Sequence, residues 1–214
     1  PDYEMYLTGI HAERGVSCAD CHMPYMSEGG VKYTDHHIQS PLNNVANSCQ
    51  VCHREETDRL VRNVYDRQDK IIENRDKLEE MLVRAHVEAK AAWDFGAGEQ
   101  QMEEALNLIR QAQWRWDLSA AGHGNSFHSP VEIGRIISGG IAKAQDARIV
   151  LARILAGLGH NEKIAYPDIA TKARAQQFIG LEMDKLRADK AEFLRTIIPR
   201  WNAEAEKREE EWIR

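Results

Sequence analysis

All four cysteines of this 214-residue chain lie in its first 53 positions, as two copies of one pattern: Cys18-Ala19-Asp20-Cys21-His22 and Cys49-Gln50-Val51-Cys52-His53. Five of the nine histidines share the segment: His11, His22, His36, His37 and His53. So do the breakers Met23-Pro24, Gly29-Gly30 and Ser40-Pro41. Apolar residues are thin here, and turn residues interrupt every period. Such a stretch cannot close on a peptide core, so something else must hold it.

C-x-x-C-H is the attachment pattern of c-type haem. Two thiols add to the two vinyl groups of one porphyrin, so their spacing matches the ring edge, and the adjacent histidine supplies the proximal iron ligand. Two copies that use every cysteine point to two covalent haems. A macrocycle also brings several hundred Å² of apolar surface, on the order of several kcal/mol when buried. It can therefore serve as the core that segment 1–53 lacks. A four-cysteine zinc site is the first rival, but the 27 residues between Cys21 and Cys49 exceed the usual roughly 15 to 20, and zinc leaves both trailing histidines unexplained. Two disulfides are the second, and they leave the histidines unexplained too.

A low-spin haem takes a second axial ligand. The candidates are His11, His36, His37, His86, His123, His128 and His160, with six methionines as alternatives. Loop positions near the motifs favour His11, His36, His37 and His128. His86 lies mid-helix among charges, while His123 and His160 follow glycines at helix ends; all three read as ordinary solvated or capping residues.

From about Arg54 the chain reads as long helices. Over 56–93, Leu60, Val64, Ile71, Leu78, Leu82, Ala85, Ala89 and Trp93 recur at three- and four-residue spacing. Phe95-Gly96-Ala97-Gly98 predicts a turn, and 99–121 a second helix with Met102, Leu106, Ile109, Gln113 and Trp116 on one side. Ser129 as N-cap, Pro130 at the first position and Glu132 three residues on predict a third start, with Gly159 as its stop. Gly139-Gly140 inside it allows close packing or is a tolerated weak spot. A fourth helix is expected over 171–198, with Ala175, Phe178, Ile179, Met183, Leu186, Phe193 and Leu194 inward and Pro199 ending or kinking it. The tail 201–214 also reads as helix, with Glu206 to Glu211 a solvated face. Trp114 and Trp116 default to core packing. No alternating strand pattern of useful length is present. The expected fold is mostly α: a loop-rich multihaem c-type lobe, residues 1–53, followed by long antiparallel helices, residues 54–214.

Charge and hydropathy narrow the function. Lys and Arg number 28 against 34 Asp and Glu, a net charge of -6, which argues against wholesale binding to nucleic acid. No apolar run approaches the roughly 18 residues of a membrane span. No Gly-rich phosphate loop and no G-x-S-x-G is present. Pro1-Asp2-Tyr3 has no initiator methionine ahead of it, so the chain reads as processed, trimmed or a piece of something longer.

The two motifs, the intervening Tyr33-Thr34-Asp35-His36, the stretch Ala85-His86-Val87-Glu88-Ala89-Lys90-Ala91-Ala92-Trp93-Asp94, Gln113-Trp114-Arg115-Trp116-Asp117 with His123-Gly124, and Ile197-Ile198-Pro199-Arg200-Trp201 together resemble the C-terminal half of the pentahaem cytochrome c nitrite reductases. These are periplasmic enzymes that reduce nitrite to ammonia with six electrons. The resemblance spans essentially the whole chain. It implies that Cys18, Cys21 and His22 hold the fourth haem and Cys49, Cys52 and His53 the fifth. It makes His128 the distal ligand of the fourth, His11 that of the fifth, and His36 that of a second haem attached elsewhere; His37 matches no ligand position. The family's catalytic haem sits on C-x-x-C-K, which is absent here. Its substrate-binding Arg, Tyr and His and its calcium ligands fall upstream of Pro1. The resemblance thus implies an electron-relaying portion of a five-haem, calcium-containing enzyme. It implies pairing into a homodimer through the long helices, with electrons supplied by a membrane quinol dehydrogenase or a soluble multihaem cytochrome. Two other classes stay open: a stand-alone multihaem electron-transfer cytochrome, which His36 without a haem argues against, and a zinc-stapled helical interaction protein without haem.

Overall fold

The computed structural model describes residues 2–212, which form two compact units, one ending at Ile164 and the other starting at Ala165. Segment 1–53 and the first three long helices all belong to the first unit.

Segment 1–53 is built of single turns: α1 (Asp2–Leu7), α2 (Ile10–Glu13), α3 (Cys18–His22), a 3-10 turn at Pro41–Asn43 and α4 (Val45–Ser48). Between them lies a feature that the sequence reading missed, an antiparallel hairpin of β1 (Tyr25–Glu28) and β2 (Val31–Thr34) in register Tyr25↔Thr34 to Glu28↔Val31. Its two-residue loop is Gly29-Gly30, at φ 56° and 81°. Positive φ at both positions suits the right-handed twist of the flanking strands and selects glycine. That dipeptide was the available signal. Four-residue strands were too short to show alternation.

Three long helices follow: α5 (Thr57–Asp94), α6 (Glu99–Ala121) and, after the single turn α7 (Asn125–His128), α8 (Pro130–Gly157). Gly96 at φ 93° reverses the chain between α5 and α6, and the Ala97 N–H donates to the Ala92 carbonyl at 2.9 Å. The buried core runs along Leu78, Leu82, Ala85, Ala89 and Ala92 of α5, Met102, Ala105, Ile109 and Ala112 of α6, and Ile133, Ile137, Ala144, Ala147, Leu151 and Leu155 of α8. Seven of these fifteen are alanine, so the helix axes approach closely. The large members each contribute roughly 1.5–3 kcal/mol on burial. One charged pair lies within this packing. Arg148 of α8 donates from Nε to Oε2 of Glu88 at 3.0 Å and from Nη2 to Oε1 at 2.8 Å.

Several expectations need correction. Trp93 is 39% exposed, because Ala92 takes the core position instead. Leu60, Val64 and Ile71 are only half-buried, so the apolar stripe of α5 outruns its cover within the described chain. Leu106 and Trp114 lie exposed, while Trp116 is half-buried and donates from Nε1 to Glu79 Oε2 at 3.1 Å. Ser129 does precede α8, but its hydroxyl does not cap it; Ser129 Oγ lies 2.6 Å from Thr8 Oγ1, and Glu132 pairs with Arg135.

The second unit contains α9 (Lys172–Phe178) and α10 (Met183–Trp212). The break falls at Gly180, φ 74°, where the N–H groups of Gly180 and Leu181 donate to the carbonyls of Gln177 and Gln176. This is a C-terminal turn closed by a left-handed glycine. Pro199 instead lies inside α10. Phe178, Ile179, Leu186, Phe193 and Leu194, expected inward, are exposed.

Gly139 and Gly140 separate the two readings of that pair. A Cβ on Gly140 would come within 2.6 Å of Leu78 Cδ2 and 3.2 Å of Arg115 Cβ, whereas one on Gly139 would meet only the flexible Arg115 side chain, at 3.4 Å or more. Chemical denaturation is expected to show Gly140→Val losing about 1–3 kcal/mol by overpacking. Gly139→Ala is expected to be neutral or to gain up to about 1 kcal/mol of helix propensity.

Candidate cofactor site

The first C-x-x-C-H motif folds as the short helix α3, and the second as a hydrogen-bonded turn just after α4. In α3, the Ser17 N–H donates to Asp20 Oδ2 at 2.7 Å and the Asp20 N–H returns a bond to Ser17 Oγ at 3.3 Å, a complete capping box. The bonds from Ser17, that from its N–H first, hold the Asp20 carboxyl below its usual range. In the second motif, the Cys52 and His53 N–H groups donate to the Cys49 carbonyl at 3.2 and 2.9 Å. Helical spacing therefore sets Cys18, Cys21 and His22 together, and Cys49, Cys52 and His53 likewise.

The four thiols are free. Burial pushes the Cys21 thiol up, helped by Cys49, Asp20, Cys52 and Cys18, so the two motifs lie side by side. Among the described residues, no three His, Cys, Asp or Glu side chains converge on a point that could hold a metal ion. The four-cysteine reading has no such convergence to draw on.

The histidines are arranged differently, as facing pairs. The rings of His22 and His128 have centres 6.3 Å apart at 74°, and those of His11 and His53 have centres 6.2 Å apart at 75°. An imidazole nitrogen binds a metal at about 2 Å, and the ring centre lies about 1 Å further back, so two imidazoles on opposite sides of one ion have centres about 6 Å apart. Both pairs match that separation. His22 Nδ1 lies 2.9 Å from the Gln39 carbonyl, to which it donates, leaving Nε2 available. His53 Nδ1 lies 3.8 Å from Glu55 Oε2.

His11 and His128 are half-buried, and burial is the largest cause lowering the pKa of each. For His11, the facing His53 and then Arg67 add to the effect; for His128, His22 and His11 add to it while Asp2 opposes. Both shifts favour the neutral imidazole, the form that ligates a metal. The Asn125 side chain, 1% exposed, has neither amide atom partnered by protein, and His128 Nδ1 is likewise buried without a partner. A bound group that brings polar atoms would satisfy them. The residues present fit haem.

The other histidines stand apart. His36, two residues past the end of β2, donates from Nδ1 to the Thr34 carbonyl at 2.8 Å, and among the described residues no ring contact joins it to either pair. His37 is exposed and lies 2.6 Å from Asp35 Oδ1. His86 and His123 are exposed. His160 departs from a plain capping role: it stacks on Phe95 at 4.3 Å and 27°. The sequence reading also missed what joins the pairs. Gly9 packs so closely that a Cβ there would lie 1.9 Å from the His128 carbonyl oxygen, and Phe127 stacks on His11 at 5.4 Å. Only the adjacency of Phe127 to a candidate ligand could have pointed to it.

Comparison with known proteins agrees with the motif. A family model for cytochrome c552 matches residues 1–210. The chain is 58% identical over 206 residues to cytochrome c-552 of Parabacteroides distasonis, covering 96% of this chain and 42% of that protein. It is 58% identical over 201 residues to cytochrome c-552 of Bacteroides thetaiotaomicron, covering 94% and 41%. The chain therefore spans about two fifths of the length of these relatives. Among solved structures, the cytochrome c nitrite reductase of Desulfovibrio desulfuricans, described as a catalytic subunit with two calcium sites, matches with a TM-score of 0.67 and 30% identity, over 74% of this chain and 35% of that one.

If each facing pair holds one haem, removing one member would leave that haem one ligand short. His128→Ala and His11→Ala are each expected to let about one haem per chain bind carbon monoxide, measured by the Soret shift of the reduced protein. His37→Ala is expected to leave the spectrum unchanged.

Proposed function

The chain belongs to the cytochrome c552 family, and from that membership we propose that residues 1–214 form the electron-relaying portion of an ammonia-forming cytochrome c nitrite reductase. The carrying observation is the pair of facing imidazoles behind each C-x-x-C-H motif. Haem c supplies reversible one-electron chemistry when bound. This chain's residues would hold it through Cys18 and Cys21 with His22 and His128, or through Cys49 and Cys52 with His53 and His11. With two imidazoles holding each group, neither centre would offer nitrite a place to bind. The role left is transfer of electrons between adjacent centres.

Ligand balance extends the reading. Two proximal histidines face two distal ones, which leaves His36 over, with its Nδ1 already tied to Thr34 and Nε2 free. We assign it to a further haem attached outside residues 1–214, in a five-haem, calcium-containing protein. The catalytic haem lies outside this stretch as well. The half-buried stripe of Leu60, Val64 and Ile71 suits a second copy of the protein, so the reading includes a homodimer through the long helices. Among the described residues, no helix is long and apolar enough to cross a membrane. With a membrane quinol dehydrogenase or a soluble multihaem cytochrome as donor, the reading takes the protein to be periplasmic.

A pyridine haemochrome spectrum with iron counted per chain tests the reading. The expected result for residues 1–214 matured with haem is two c-type haems and no nitrite turnover, with ammonia formed only by the longer protein. One haem, or none with zinc in its place, would overturn it. Cys18→Ala combined with Cys21→Ala is expected to remove one of the two.

A further inference from the structure

The four axial histidines are held in two different ways. Of the motif histidines, His22 donates from Nδ1 to the Gln39 carbonyl at 2.9 Å, and the Glu55 carboxylate stands 3.8 Å from His53 Nδ1, beyond hydrogen-bond range. Among the described residues, the rings of His11 and His128 make no hydrogen bond. Each instead meets an aromatic ring. Tyr6 stands edge-on to His128 with centres 5.7 Å apart at 87°, and Phe127 stacks on His11 at 5.4 Å and 29°. Phe127 also lies 6.4 Å from His128 at 64°. His11, Phe127 and His128 thus form a row of rings that crosses from one facing pair to the other.

His11 needs such a support. It sits in α2, a helix of four residues whose N-cap, Gly9, offers no side-chain bond. So short a helix does not hold itself. The Gly9 contact with the His128 carbonyl and the Thr8–Ser129 hydroxyl bond fix where the backbone of α2 lies against α7. Neither restrains rotation of the His11 ring about its own side-chain bonds. The stacked face of Phe127 is what does, at a separation where offset aromatic stacking is attractive.

We propose that Phe127 is the positioning residue for His11: it sets the plane of that imidazole, and α7 thereby places both distal ligands, His128 directly and His11 through Phe127. This rests on the bis-histidine reading above. A haem whose distal ring is oriented by a hydrocarbon face, with no acceptor on Nδ1, has a less electron-rich ligand than one hydrogen-bonded there. Phe127 stacks on His11 at 5.4 Å but meets His128 only edge-on at 6.4 Å, so it acts chiefly on the centre between His11 and His53.

The test uses the haem-loaded protein with Phe127→Leu, Phe127→Met as a second ring-free variant should the first fail to fold, and Phe127→Tyr as the conservative control. Haem count, low-temperature electron paramagnetic resonance of the ferric protein and a reductive titration are read on each. With both haems retained, the ring-free variants are expected to move the low-spin signal and midpoint of one haem per chain, while Phe127→Tyr keeps the wild-type values. Unchanged signals in a ring-free variant, or equal disturbance of both haems, would overturn the assignment and make Phe127 ordinary packing. A wild-type protein without haem would overturn the parent reading, and this with it, so the two failures are distinguishable.

Discussion

Segment 1–53 has to be held by something other than its own side chains. Among its described residues the buried apolar ones are Met5, Pro24 and Val45, far short of what orders a stretch of that length against its backbone entropy. Covalent attachment at Cys18, Cys21, Cys49 and Cys52 answers that constraint in the proposed reading, because each macrocycle brings apolar surface of its own and ties two points of the chain to it. The single-turn helices then need not be stable alone. They need only present thiols and imidazoles at the right spacing, which one turn of helix does.

The helical region completes the arrangement from the far side. His128, one of the two distal ligands in the proposed reading, comes from the region where α5, α6 and α8 share a buried core, whereas His11 comes from α2 in segment 1–53. α7, a single turn just ahead of α8, presents Phe127 and His128 side by side. Its contact with α2 is close enough that position 9 admits glycine alone. Geometry at the facing pairs therefore depends on a backbone approach between residues more than a hundred positions apart in the chain.

Much of this could be read from residue types and spacing. Two C-x-x-C-H copies carry chemistry in their own pattern, and the period of α5 and the Ser129-Pro130 start marked the long helices to within a residue or two. The pairing of His22 with His128 and of His11 with His53 was available only through resemblance, because no local pattern encodes which distant imidazole faces which. What escaped altogether was tertiary. Trp93 yields its core place to Ala92 because close helix approach favours the smaller side chain, and the Ser129 hydroxyl bonds Thr8 instead of its own helix. Gly180 breaks the last helical region where Pro199 was expected to, since a left-handed glycine ends a helix more decisively than an exposed proline kinks one.

The account turns on two imidazole nitrogens per iron at the pairs His22–His128 and His11–His53. X-ray absorption at the iron edge of residues 1–214, matured with haem, measures this most directly. Six nitrogen scatterers at about 2.0 Å with imidazole outer shells are predicted. A sulfur shell near about 2.3 Å, or an average coordination of five, would contradict it.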